Sequence, residues 1–194
     1  MVNGAAVTNK RKAIAGTTLT ALFAALIAAG TFIAIPVPFS PVPVVLQNFF
    51  ALIAGLILGP FRGALAVGLY LLAGAIGAPV FAGAIGGFVH FLGPTGGFLL
   101  GYPLAAITAG LIAGRPRAGA RSPLWRIILG AAAGLLVVYV PGLIRLKFVL
   151  GGTWVQAFAV GFVPFIIGDA VKGVAAVLIC PRLRRLAADQ LAGD

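Results

Sequence analysis

Behind the basic triplet Lys10-Arg11-Lys12 the chain runs apolar from Ala13 to Ile35, and comparable runs recur until the basic cluster at Arg182. A helix crossing the hydrocarbon core of a bilayer needs about 20 mostly apolar residues. After tails and loops are set aside, the 194 residues hold about six such helices. The first run is longer than the apolar core of a signal peptide and more runs follow it, so it reads as a retained first helix. A soluble fold is excluded by the same feature. Only 9% of the residues are charged and 61% are hydrophobic, whereas soluble domains carry roughly 25% charged residues and must face water with them. Strands of a transmembrane barrel would alternate polar and apolar residues, and these runs do not.

The first span is roughly 13–35. Pro36, Pro38, Pro41 and Pro43 then forbid helix and favour a stiff, extended loop. The second span runs over about 44–59, Pro60-Phe61-Arg62-Gly63 makes a tight turn, and the third runs over about 63–78. A glycine-rich segment from Pro79 to Gly87 follows, with room for a short half-helix before Gly93-Pro94-Thr95. The fourth span is about 95–114, a loop carries Arg115, Arg117 and Arg121, and the fifth span is about 124–141. Residues 153–181 are too long for one helix across a ~30 Å core without strong tilt. Pro164 suits a first helical turn, so the sixth span reads as 164–182, with Trp154 to Val163 an ordered outer loop or interfacial helix. The expected fold is all-α, a single transmembrane domain over 1–194 with six helices.

Lys10, Arg11, Lys12, Arg62, Arg115, Arg117, Arg121, Arg126, Arg182, Arg184 and Arg185 gather on one side of these spans, and only Arg145 and Lys147 on the other. Eleven against two is a positive-inside bias. Both termini are expected in the cytoplasm of a cell-membrane, multi-pass protein, with the proline loop, the glycine-rich segment and 142–163 outside. The same distribution accounts for the net charge of +11 without nucleic acid. Small residues four apart, such as Gly55, Gly59 and Gly63, let helices approach closely in lipid. Most such pairs read as packing within the bundle, and Ala21 with Ala25 on span one is the best candidate for docking another membrane subunit.

Several chemistries are missing. The chain has no Glu and one histidine, His90, so HExxH is impossible. No two glycines are separated by a single residue, and no lysine precedes Ser or Thr, which removes GxGxxG and Walker A phosphate loops. Asp189 and Asp194 lie in the tail, so no carboxylate pair is available for acid–base work. Cys180 is alone, which excludes an intramolecular disulfide and a multi-cysteine metal site. An enzyme, a metal site and a cofactor are not expected, and ATP-driven work would require a separate protein.

What remains is polar and sparse. Asp169 and Lys172 are three apart and share a helix face. Charges in a bilayer usually face a cavity and pair. The pair reads either as an ion pair that only locks helices or as a solute site. Asp accepts and Lys donates, so together they suit a neutral group that does both, such as a cyclic urea or an amide. Gln47 and Asn48, at the mouth of span two, read either as helix-end satisfaction or as ligand contacts. Phe39, Phe81, Phe88, Trp154, Phe162 and Phe165 lie near the outer side, where aromatics are mostly interfacial or core residues.

The order Gln47, Gly59-Pro60-x-x-Gly63, Tyr70-Leu71, Gly77-x-Pro79-Val80-Phe81-Ala82-Gly83, Gly93-Pro94-Thr95-Gly96-Gly97-Phe98 and Pro164-Phe165-x-x-Gly168-Asp169-x-x-Lys172 resembles the BioY family. Its members are the biotin-specific substrate-binding (S) components of energy-coupling factor transporters. The resemblance covers nearly the whole chain. It implies six helices with both ends cytoplasmic, and biotin captured from outside with high affinity near the outer surface, under the loops after spans one, three and five. It makes Asp169 and Lys172 polar ligands of biotin, and has Gln47 and the block Gly93, Thr95, Gly96 and Gly97 line or lid the pocket. Asn48, Phe81 and Phe165, beside or within these blocks, join the candidate set. It also implies a transmembrane coupling protein and two ATPase subunits as partners in trans, with Ala21 and Ala25 as the docking face, although some members work without them. The other implied partners are biotin and membrane lipid. Two family hydroxyls are absent, at Val45 and Phe98. An S component for another small vitamin, or a structural membrane subunit with no ligand, are the alternatives.

Overall fold

A computed structural model describes residues 2–117 and 122–192. Arg121 and Asp194, both counted above, lie outside the described residues. The helices are α1 (Val2–Ala29), α2 (Gln47–Ala75), α3 (Gly96–Ala113), α4 (Leu124–Leu150), α5 (Trp154–Gly161) and α6 (Ile166–Ala192). Two-residue strands β1 (Ala34–Ile35) and β2 (Val44–Val45) pair antiparallel, with Ala34 opposite Val45 and Ile35 opposite Val44. They clamp the base of the proline loop.

Helix α2 is two arms, not one rod. Gly59 has φ 82 and ψ 176, a conformation that side-chain-bearing residues avoid. Pro60 follows at a position where its missing N–H costs nothing. A Cβ on Gly63 would stand 2.6 Å from the Cα of Gly55. Residues eight apart in a continuous helix are about 12 Å apart, so the arm 60–75 runs back along the arm 47–58. By length and hydropathy four helices qualify as membrane spans, or five if the bent pair α5–α6 is one span. That count takes α2 once, and its two arms bring the passes along the bundle to six.

Helix ends differ from expectation for local reasons. The first span passes from α-helix to a 3-10 turn at Gly30 and stops at Phe32, not 35, because Ile35 precedes Pro36 and is pushed to an extended conformation. The fifth was expected to end at 141, yet α4 continues through Pro141 to Leu150. It ends at Gly151, which is left-handed at φ 62. A proline inside such a helix forfeits one backbone bond, and neighbouring helices make this tolerable. Helix α6 begins at Ile166, two residues beyond Pro164, and runs to Ala192, past the expected 182. Helix α5 is the expected ordered segment. Thr153 and Gln156 form its capping box, and it meets α6 at a bend of 51°.

The small-residue spacings are consumed inside the bundle. Gly55 abuts the Ala106 backbone, Gly97 and Gly101 abut Pro141 and Val138, and Gly130 and Gly134 face Ala109. Ala21 and Ala25 are exposed on α1. At the end of the bundle that carries the termini, Arg184 is buried, 2% exposed. It donates to the carbonyls of Leu56, Ala113 (3.0 Å) and Gly114 (2.8 Å), and to Ser122 Oγ (2.8 Å). It thereby satisfies carbonyls left open where the first arm of α2 and α3 end.

Candidate functional site

The opposite end of the bundle holds two adjoining spaces. The larger is a cavity of about 420 Å³ between the proline loop, the glycine-rich segment and the start of α3. Gln47, Phe81, His90, Gly93, Thr95 and Tyr102 are among its walls. The smaller, about 40 Å³, reaches down to Asn48, Tyr139, Phe165, Asp169 and Lys172. Val42, Pro43, Val45, Phe98 and Tyr102 border both. The larger volume is within the ~300–1,000 Å³ usual for small-molecule sites.

The floor is a closed polar network. Asp169 and Lys172 are 8% and 7% exposed. Asp169 lies in the first turn of α6, where the helix dipole favours a negative charge. Lys172, almost one turn on, donates to Asp169 Oδ1 at 3.0 Å. Asn48 bridges them from α2: its Nδ2 donates to Asp169 Oδ1 at 3.0 Å and its Oδ1 accepts from Lys172 Nζ at 2.9 Å. Because the carboxylate only accepts and the ammonium only donates, the orientation of the Asn48 amide is fixed by chemistry. The second carboxylate oxygen accepts from the Tyr139 hydroxyl, which α4 supplies. The Tyr139 ring is held edge-on against Phe162, centroids 4.7 Å apart, and against Phe98 at 6.2 Å. The pair therefore presents an amide-sized gap, and an amide already fills it.

The upper wall is pinned by Gln47, 1% exposed. Its Nε2 donates to the Val80 carbonyl at 2.9 Å and to Thr31 Oγ1, and Thr31 in turn donates to the same carbonyl. This ties the end of α1 and the start of α2 to the glycine-rich segment beside Phe81. Phe81 packs edge-on against Tyr70 and Phe91, with centroids 5.7 and 5.5 Å apart.

The sequence-predicted residues thus divide. Asp169, Lys172, Asn48 and Phe165 meet at the floor, and Gln47, Phe81, Gly93 and Thr95 line the chamber above. Gly96 and Gly97 line neither space: Gly96 abuts the Phe91 backbone and Gly97 the Pro141 backbone of α4. They let α3 start close to its neighbours and do not face the cavity. The sequence reading missed Tyr139, Tyr102 and Thr31. Tyr139 and Tyr102 are polar tips inside apolar runs, a signal that marks a residue but not its partner.

Comparison with known proteins bears on the whole chain. The sequence model of the BioY family matches residues 5–189. A probable biotin transporter BioY of Pyrococcus horikoshii is 42% identical over 86% of this chain and 94% of its own. The biotin transporter BioY of Thermotoga maritima is 41% identical over 85% of this chain and 93% of its own. A crystal structure of the S-component for biotin from an ECF-type ABC transporter superposes with a TM-score of 0.78 at 29% identity, covering 89% of this chain and 92% of that one. With a family match from end to end, relatives of this identity and the same helical architecture, the chain belongs to the BioY family.

Proposed function

We propose that this chain captures biotin from outside the cell and passes it inward, as the substrate-binding component of a biotin transporter. The observation that carries the reading is the amide of Asn48 between Asp169 and Lys172. It donates to the acid and accepts from the ammonium, as one edge of a cyclic urea does. Biotin's ureido group takes that place, with an N–H toward Asp169 and its oxygen toward Lys172, and Asn48 turns to the ligand's rim. Phe165 packs at the floor, while Phe81, Gly93 and Thr95 enclose the rest of the molecule in the chamber above. Gln47 keeps the glycine-rich segment seated over the chamber. High affinity follows from burial: charged groups already desolvated and oriented lose little on binding.

The whole chain acts as one transmembrane domain in the cytoplasmic membrane. The count of eleven basic residues against two supports cytoplasmic termini. The exposed small-residue face of Ala21 and Ala25 on α1 suits docking to a transmembrane coupling protein, which two ATPase subunits would drive. The test is retention of ligand. The protein purified in detergent should carry biotin by mass spectrometry and be stabilised thermally by it, with thiamine and riboflavin as controls. Retention of a control vitamin in place of biotin would reassign the substrate. No vitamin retained and no thermal shift would defeat the reading.

A further inference from the structure

We propose that a basic cleft at the end of the bundle carrying the termini holds the phosphate headgroup of an anionic phospholipid. The cleft has a volume of about 300 Å³ and is lined by Leu58, Pro60, Phe61, Arg62, Arg115 and Pro116. Two elements bring these arginines to it. Arg62, on the second arm of α2, lays its guanidinium against Gly16 of α1, with Cζ 2.6 Å from where a Cβ would stand. Arg115, just beyond α3, passes over the Gly59 turn with Cγ 3.5 Å from the corresponding position. The bare surface of Gly16 is what admits the Arg62 guanidinium.

No acid among the described residues answers this charge. Among the described residues the only salt bridge joins Lys172 to Asp169, at the other end of the bundle. Arg184, close by, spends its donors on four protein acceptors. Among the described residues Arg62 and Arg115 have no such acceptor, and both line one cleft. A guanidinium fork matches phosphate oxygens in pairs. The surroundings choose a lipid over a free anion. Phe61, beside Arg62, is 83% exposed. Trp125 is 58% exposed, with the Arg126 guanidinium 5.4 Å from its ring centroid. Exposed aromatics beside basic side chains mark the boundary between acyl chains and headgroups. The phosphate sits in the cleft and its acyl chains descend past Phe61.

Native mass spectrometry of the full-length protein, titrated with phosphatidylglycerol and with phosphatidylcholine, tests this. The R62Q/R115Q variant should bind phosphatidylglycerol about 30-fold more weakly than wild type, which corresponds to about 1 kcal/mol per basic side chain. The R182Q/R185Q variant loses the same charge at the same end of the bundle and should bind as wild type does. Equal retention by wild type and R62Q/R115Q would overturn the proposal. So would an equal fall in R182Q/R185Q, because the attraction would then be diffuse. Displacement of the lipid by inorganic phosphate at comparable concentration would also overturn it. Should R62Q/R115Q fail to fold, Arg62→Lys with Arg115→Lys decides, since it keeps the charge and loses the fork. A fall of about tenfold supports the site, and wild-type retention refutes it.

Discussion

Exchanging Asp169 for Asn keeps the shape of the side chain and removes its charge. In the wild type, Oδ1 accepts from Lys172 and Asn48, each at 3.0 Å, and Oδ2 accepts from Tyr139. The exchange has two separable consequences. Lys172, 7% exposed, keeps a buried charge met only by neutral amide oxygens, that of Asn48 at 2.9 Å and that of the introduced side chain, with no counter-charge. Breaking a buried pair from one side costs about 3–5 kcal/mol of stability. Biotin also loses a charged acceptor for its ureido N–H, worth about 1.5–3 kcal/mol, or roughly 10- to 150-fold in Kd. Asp169→Asn combined with Lys172→Met separates the two. With the unpaired charge gone, much of the lost stability should return, while the affinity stays low because neither charged ligand remains. Thermal unfolding in detergent reads the first effect and isothermal calorimetry with biotin the second. If the double variant bound biotin as tightly as wild type, the pair would be a helix lock with no part in recognition. An unchanged Kd for Asp169→Asn alone would refute the ureido assignment as directly.

Three further outcomes are expected. Tyr139→Phe removes the donor that holds the second carboxylate oxygen and should weaken biotin binding by about 1 kcal/mol, roughly fivefold by calorimetry, with the ring packing intact. Gln47→Leu frees the Val80 carbonyl from α2; the glycine-rich segment should loosen and biotin dissociation should quicken by about 1–2 kcal/mol, roughly 5- to 30-fold in a washout assay. Arg184→Met strands the carbonyls of Leu56, Ala113 and Gly114; it should lower stability by about 3 kcal/mol in thermal unfolding yet leave biotin affinity near wild type, because it acts at the far end of the bundle.

How legible the site was differs from residue to residue. Asp169 and Lys172 stood out because a bilayer penalises charge, so any that persist inside a span carry information. Their shared face followed from a spacing of three. Asn48 was visible as a polar residue at a helix mouth, but not as the bridge between the two charges. That depends on how far α2 is rotated about its axis against α6, which no local pattern reports. Gly96 and Gly97 show the converse. Their block looked like pocket lining, yet only packing reveals that they face Phe91 and Pro141.

The sequence by itself determined that this chain is a bundle of apolar helices, that it turns back at Gly59-Pro60, which end is basic, and that one buried acid and one buried lysine share a face. These are one-dimensional properties: run length, punctuation by proline and glycine, and the cost of charge in lipid. The tertiary structure alone decided that Pro141 lies inside a helix and that Tyr139 and Asn48 complete the polar floor. Each depends on how helices distant in sequence are rotated and set against one another. That is fixed by side-chain packing across the whole bundle and not by any single segment.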